Sequence, residues 1–271
     1  MGTSEKAMEV ARVMRQDPLV LEDGIYSLWI RTDLALYAKP GQFISIYLND
    51  ASRILPRPIS ICEVNRDAGT IRTVYRVAGK GTEELTHLMR DDKIRIMAPL
   101  GNGYPLQGGR TLLIGGGIGI PPMLELAKEL SGIGRLDGVS HPALSVTSVL
   151  GYRNDRMFLK DEFENYGKVY IATDDGSYGT HGTVIDAIHE HMLTADVIYA
   201  CGPKPMLRGV KEFAMKNQIR CYLSLEERMA CGVGACLGCV CKSTKVDDHS
   251  KVKNKRVCTD GPVFEAQEVD L

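Results

Sequence analysis

The 271-residue chain contains no run of about 18 or more apolar residues, so no membrane-spanning helix is expected. It carries almost no net charge: 33 Lys and Arg stand against 34 Asp and Glu, a balance that argues against general nucleic-acid or membrane-surface binding. The opening residues, MGTSEKAMEV, lack the basic and apolar regions of a signal peptide, and Lys6 stands where a myristoylation signal wants Ser or Thr. A cytoplasmic location, where thiols stay reduced, is therefore expected. Histidine is sparse and unpatterned. His87, His141, His181 and His249 stand alone, His189 and His191 read as a solvated helix face, and none is assigned a role. Cysteine is also scarce, eight in the whole chain, which makes its placement informative.

Five of those cysteines crowd into the span from Cys231 to Cys258, among glycines and alanines. Cys231, Cys236 and Cys239 follow a C-x4-C-x2-C spacing, and Cys258 comes later. This is the order of a plant-type [2Fe–2S] ligand set. Four thiolates converging on two irons need a backbone that wraps closely and turns its N–H groups to the sulfurs. Gly232, Gly234, Ala235 and Gly238 permit that approach. Two alternatives stay open. A structural zinc site would show two separated C-x2-C knuckles, of which only Cys236–Cys239 is present. A disulfide framework would need an oxidising compartment. Cys241 is a spare fifth thiol, read as buried or as a neighbour of the ligands. Cys62 and Cys221 read as small buried hydrophobes.

The length allows two domains plus a small module, and 44% apolar with 25% charged residues is an ordinary globular composition. From Glu9 to about Pro99 the pattern is short strands, such as Ile25–Ile30, Phe43–Leu48, Thr70–Val77 and Lys93–Met97. One short helix is signalled over Thr82–Met89, with Thr82 as its N-cap. Six or so strands in this length suggest a small closed antiparallel barrel. Within it lie Arg57-Pro58-Ile59-Ser60, then Val74-Tyr75-Arg76, then Gly79-Lys80-Gly81-Thr82. An arginine fork and bare amides at a helix start could together hold a diphosphate.

Beyond Gly108 buried strands alternate with helices. Arg110–Ile114, Leu144–Leu150, Lys168–Ala172, Val197–Ala200 and Ile219–Leu225 read as strands. Leu159–Tyr166, Thr183–Met192 and Lys204–Asn217 read as helices, which together means a parallel sheet covered on both faces. The first strand runs into Gly115-Gly116-Gly117-Ile118-Gly119-Ile120-Pro121-Pro122, not the usual G-x-G-x-x-G. It still serves close backbone approach to a pyrophosphate at a helix start. Cys201-Gly202-Pro203 and Thr173-Asp174-Asp175 follow other strands, at the edge where such sheets bind ligands. A carboxylate there, Asp174 or Asp175, favours a ribose 2′-hydroxyl over a 2′-phosphate and so NAD over NADP.

Taken in order, the R-P-I-S, G-K-G-T, glycine-rich and C-G-P segments resemble the ferredoxin–NADP⁺ reductase superfamily. With Glu226–Cys236 and Val257–Phe264, the chain resembles the electron-transfer subunits of class 1B dihydroorotate dehydrogenases over nearly its whole length. The resemblance implies an FAD-binding β-barrel over 1–105, an NAD-binding α/β domain over 106–222 and a [2Fe–2S] module over 223–271. It implies FAD held by Arg57, Pro58, Ile59, Ser60, Val74, Tyr75, Arg76, Gly81 and Thr82. It further implies NAD(H) bound at Gly115, Gly116, Gly117, Gly119, Asp174, Cys201 and Gly202, and a cluster on Cys231, Cys236, Cys239 and Cys258. Ile59 departs from the superfamily, where many members place an aromatic against the flavin. The implied partner is an FMN-containing catalytic subunit that oxidises dihydroorotate to orotate in pyrimidine biosynthesis, in a heterotetramer of two plus two. No dihydroorotate pocket is signalled in this chain, and the residues around Cys231–Cys241 are expected to face that partner. The other readings are an NADH-dependent ferredoxin:NADP⁺ oxidoreductase or another reductase subunit, and a zinc-binding adapter on a degenerate reductase fold.

Overall fold

A computed structural model describes residues 6–49, 52–132, 143–246 and 251–271; Gly2, His141 and His249 lie outside them. Six strands close the first barrel: β1 (Ala7–Val20), β2 (Ile25–Arg31), β3 (Phe43–Tyr47), β4 (Arg57–Asn65), β5 (Thr70–Arg76) and β6 (Lys93–Leu100). Their order around the wall is β1-β2-β5-β4-β3-β6, antiparallel throughout. β1 is long enough to pair with β6 through its first half and β2 through its second, bending at irregularities after Val13 and Pro18. The closed barrel expected from the strand pattern is therefore present, filled by Val13, Leu28, Ile30, Ile44, Ile61 and Ile71.

One helix, α1 (Lys80–Leu85), lies between β5 and β6, and its limits differ from expectation. Gly79, not Thr82, is the N-cap. The Thr82 hydroxyl sits one turn inside and accepts from the amides of Ala78 (2.8 Å) and Gly79 (3.2 Å). The helix stops at Leu85, where Thr86 donates its hydroxyl back to the Glu83 carbonyl at 2.7 Å.

The second sheet contains β7 (Gly109–Gly116), β8 (Ala143–Tyr152), β9 (Lys168–Thr173), β10 (Thr180–His181), β11 (Val197–Cys201), β12 (Arg220–Ser224) and β15 (Val263–Glu265). Between β12 and β15 lie two short strands, β13 (Val240–Lys242) and β14 (Asn254–Arg256), which pair with each other. The sheet order is β10-β9-β8-β7-β11-β12-β15, parallel except for the last strand. Helices α2 (Pro121–Ser131) and α3 (Lys160–Glu164) cover one face, and α4 (Val184–Glu190) and α5 (Lys204–Lys216) the other. β7 shows why: Leu113 packs with Met123 and Phe163, while Leu112 and Ile114 pack with Ile188 and Val210. Pro121 opens α2 as expected. β15 was not anticipated; it comes from the C-terminal segment and covers the edge of β12.

The barrel and the sheet meet through a buried polar seam. Glu125 of α2 accepts from the Val64 amide at 2.9 Å, and Lys128 donates to the Val64 carbonyl at 2.7 Å. Arg66 enters from the barrel and reaches both Glu125 and Glu129, each fully buried. Glu63 links Lys128 to Arg72, which grips Glu162 of α3. Four carboxylates, Glu63, Glu125, Glu129 and Glu162, thus share Arg66, Arg72 and Lys128. Burial pushes the Glu125 carboxyl up to about 7, against the pull of Lys128, the Val64 amide and Arg66. The opposing pulls leave this carboxyl titrating near neutral pH. Among the described residues, no helix is long and apolar enough to cross a membrane.

Candidate functional site

The barrel wall is not sealed along its whole height. β4 pairs with β5 only from Ile61 opposite Thr73 to Asn65 opposite Thr70. Beyond that point Arg57–Ser60 keep their ladder to β3, and Val74–Arg76 keep theirs to β2. The two segments singled out in the sequence therefore line opposite sides of an opening, with backbone groups left over. Val74 and Tyr75 are buried, and the Tyr75 ring stacks on Tyr26 with centroids 5.9 Å apart. They contribute main chain to the opening. Pro58, Ile59 and Ser60 are half-buried along it.

α1 closes one end of the opening. The Arg57 guanidinium lies directly on Gly81: a Cβ built there would sit 2.1 Å from the Arg57 Nε. Any other residue would displace the arginine. Its Nη1 donates to the Leu55 carbonyl at 2.6 Å, which aims the fork across the helix start. Cation, bare amides and a gap in the wall fit a flavin dinucleotide, with Arg57 and Gly81 the groups that would hold its diphosphate.

A cavity of about 820 Å³ opens where the barrel faces the carboxyl ends of β7 and β11. In this sheet order, that is the topological switch point, the usual ligand crevice. Gly116, Gly117, Gly119, Asp174 and Gly202 all line it, with Arg76 and Asp23 from the barrel. Close approach explains the glycines best at Gly119, where a Cβ would lie 2.4 Å from the Cys201 carbonyl oxygen. Gly117 has φ 53°, and a Cβ there would be 4.0 Å from an Arg76 nitrogen, so the barrel arginine reaches the glycine loop.

Three residues lie otherwise than the motifs suggest. Gly115 is buried beneath the loop against Ile120. Cys201 is fully buried and its thiol is pushed up by burial, so its carbonyl rather than its sulfur supports the loop. Asp175 is spent on a turn, accepting from the Ser177 amide at 2.9 Å and its hydroxyl at 2.6 Å, and of the two neighbours only Asp174 lines the cavity.

The cavity also holds residues that sequence reasoning missed. Arg153 and Arg156 follow β8, and Arg156 pairs with Asp23 of the barrel at 3.2 Å across the mouth. Glu226 lines it just after β12, its carboxyl raised by desolvation. All three follow strand ends, so applying the strand-end rule to every strand would have found them.

The cysteines come together in two pairs: the Cys231 thiol lies near that of Cys236, and the Cys258 thiol near that of Cys239, close enough for each pair to influence its titration. Amides surround them: Val233 and Ala235 donate to Cys231 Sγ at 3.4 and 3.2 Å, Gly238 to Cys236 at 3.4 Å, and Cys258 to Cys239 at 3.4 Å. Burial opposes the Cys231 thiolate, but the amides and Cys236 outweigh it and bring the thiol down to about 7. Cys258 is pushed up to about 12, by burial first and then by Cys239. Among the described residues, no three His, Cys, Asp or Glu side chains close on a single ion. Two thiol pairs in a nest of amides fit a two-iron cluster better than one tetrahedral zinc. Cys241 is buried in the apolar cluster, raised by burial and then by Glu227. Cys236 is exposed, flanked by the exposed apolar side chains of Val233, Leu237 and Val240.

Residues 226–270 match the family model "Iron-sulfur cluster binding domain of dihydroorotate dehydrogenase B", and residues 113–212 match "Oxidoreductase NAD-binding domain". The dihydroorotate dehydrogenase B (NAD(+)) electron transfer subunit of Geobacillus thermodenitrificans is 46% identical over 86% of this chain and 87% of its own length. That of Geobacillus sp. (strain WCH70) is 43% identical over 97% and 98%. Among solved structures, the NADH-dependent reduced ferredoxin-NADP oxidoreductase matches with a TM-score of 0.82 at 28% identity, covering 100% of this chain and 91% of its own.

Proposed function

The chain belongs to the family of dihydroorotate dehydrogenase B (NAD⁺) electron transfer subunits, and from that premise we propose how its residues divide the work. It is an oxidoreductase subunit that moves electrons between NAD(H) and a catalytic partner subunit, using FAD and a [2Fe–2S] cluster. Arg57, Pro58, Ile59, Ser60, Gly81 and Thr82, with the main chain of Val74, Tyr75 and Arg76, hold FAD. Gly116, Gly117, Gly119, Asp174 and Gly202 form the nicotinamide site, with Gly115 and Cys201 supporting the loop from beneath. Cys231, Cys236, Cys239 and Cys258 ligate the cluster. The working units are 1–105, 106–222 and 223–271, in a cytoplasmic protein.

A flavin accepts the electron pair of a hydride and releases electrons singly, which is what joins a nicotinamide to an iron–sulfur cluster. The chain's own residues position and tune. Arg57 and Gly81 neutralise and anchor the diphosphate. The glycine loop and Gly202 admit the nicotinamide end against the barrel opening, with Arg76 spanning both sites. Asp174 favours the unphosphorylated ribose. The amides around Cys231–Cys239 stabilise thiolates.

The partner is an FMN-bearing subunit that oxidises dihydroorotate to orotate, in an assembly of two plus two. It docks over Cys236, where Val233, Leu237 and Val240 offer an apolar rim. The observation that carries the reading is the sharing of one cavity by barrel and sheet residues, with the thiol nest packed against the same barrel: a Cβ on Gly232 would lie 3.1 Å from Ser45 Oγ. Co-expression with the catalytic subunit, followed by assay of dihydroorotate-dependent NAD⁺ reduction, tests it. A complex that forms but lacks this activity would remove the dihydroorotate assignment. The likeness to the NADH-dependent ferredoxin-NADP oxidoreductase supports a second reading, which NADPH-dependent ferredoxin reduction would favour.

A further inference from the structure

Asn102 lies in the linker between β6 and β7, outside every motif named above, yet it holds the turn that follows Cys258. Its side-chain nitrogen donates to the carbonyls of Thr259 (3.0 Å) and Asp260 (3.2 Å). Its main-chain amide donates to the carbonyl of Gly261 at 2.7 Å. Three consecutive carbonyls thus accept from one residue, and Asn102 and Pro262 form an isolated bridge. The preceding Gly101 is at φ 75°, and a Cβ there would lie 2.5 Å from the Pro262 ring. The linker and the turn are in direct contact.

The turn in turn holds the first ligand loop. Asp260 accepts from the Arg256 amide at 2.7 Å and pairs with its guanidinium. Arg256 reaches the Gly234 carbonyl at 3.4 Å, and a Cβ on Gly234 would lie 2.7 Å from Thr259. A continuous set of contacts therefore runs from Asn102 through residues 259–261 and Arg256 to the loop between Cys231 and Cys236. The other end of the linker is anchored at the barrel, where Gln42 donates to the Gly101 carbonyl at 2.7 Å and the Tyr104 amide to Pro40 at 2.8 Å.

We infer that Asn102 is a positioning residue that fixes the cluster loops relative to the flavin-bearing barrel, and so sets how fast electrons pass between the two. The inference rests on the cofactor assignment proposed above. It differs from a role in cluster assembly because Asn102 touches no thiol; its hydrogen bonds sit near solvent and end on the turn. Their loss frees the turn without removing a ligand.

The test uses the full chain loaded with FAD and iron, as the parent, Asn102→Asp and Asn102→Ala. Aspartate keeps the shape but turns an acceptor toward the Thr259 and Asp260 carbonyls; alanine removes the donors without repulsion. Iron and FAD per chain are measured first, then deuterium uptake over 257–262, then flavin and cluster bleaching after mixing with NADH. NADH gives up a hydride to the flavin and leaves as NAD⁺; of the two electrons delivered, one passes on to the cluster and the other stays on the flavin. The expected result is parental iron, FAD and flavin bleaching, faster deuterium uptake over 257–262, and cluster bleaching slowed several-fold, since electron transfer falls off steeply with the separation of the two groups. Cluster bleaching at the parental rate in both variants overturns the inference. So does loss of iron from both with FAD retained, which would make Asn102 an assembly residue. A parent with no flavin or iron–sulfur bands would instead sink the cofactor reading itself.

Discussion

The walls of the cavity between barrel and sheet belong to elements that pair and pack without a ligand. β7 exchanges a ladder with β8 on one side and β11 on the other, and both faces of the sheet are covered by helices. The thiol nest is built differently. Among its described residues the secondary structure is two strands of three residues, β13 and β14, and the cysteines before them sit on turns. One site is a gap left between finished parts, made chiefly of backbone. The other is a set of side chains on short loops, which its ligand would complete. The first should tolerate loss of a side chain and fail when one is added; the second should fail when a side chain is lost.

The largest effect expected is at the nest. Cys239→Ser or Cys258→Ser should abolish the cluster, read as loss of iron and of its electron paramagnetic resonance signal, with FAD retained. Cys241→Ser should keep both. A surviving signal in Cys258→Ser alongside its loss in Cys241→Ser would show that the fourth ligand is Cys241. Next is an addition at the cavity. Gly119→Ala puts a methyl on the Cys201 carbonyl, and overpacking of about 1–3 kcal/mol should weaken NADH binding about tenfold or more. Titration of NADH quenching checks it, and unchanged affinity would move the dinucleotide away from this loop.

The seam behind the cavity gives a pH prediction with a definite sign. Glu125 has a raised carboxyl in the fold, about 7, so the native state binds its proton more tightly than the unfolded chain does. Its contribution is greatest below the usual carboxylate range and is lost as pH rises to about 7 and beyond. Glu125→Gln, which mimics the protonated form, should flatten that decline. The gain at pH 8 should be on the order of 2–3 kcal/mol. Urea unfolding at pH 5 and pH 8 measures it; an equal stability difference at both would refute a proton on Glu125. The smallest effect is Asp174→Asn, which should narrow the preference for NADH over NADPH by a few-fold, on the order of 1 kcal/mol for one surface-facing charge. An unchanged ratio of kcat/KM for the two would exclude Asp174 from the ribose site.

Much of this was legible along the chain. The cysteine spacing, the glycine run before Pro121 and the alternation of Ile25–Ile30 each report a local geometry: the thiols fall in two pairs, the glycines form the turn into α2, and the alternation is β2. Thr82 was misplaced because a hydroxyl near a helix start can serve the cap or the third residue, and only the reach back to Ala78 and Gly79 tells which. Asp174 and Asp175 were indistinguishable as neighbours until Ser177 claimed one of them.

What the sequence determined by itself was the inventory: a barrel, a parallel sheet, the arginine- and glycine-bearing segments, the cysteine run and their order. Periodicity and motif spacing encode such things over a few residues, because they reflect the geometry of a single strand, helix or loop. Only the tertiary structure decided how the pieces meet. It opened β4 from β5 to expose Arg57–Ser60 and Val74–Arg76, lent β15 to the sheet, strung Glu63, Glu125, Glu129 and Glu162 along one seam, and placed Asn102 on the turn after Cys258. Those contacts join residues far apart in the chain. Their free energy comes from burial and hydrogen bonding across surfaces that exist only once the elements have packed.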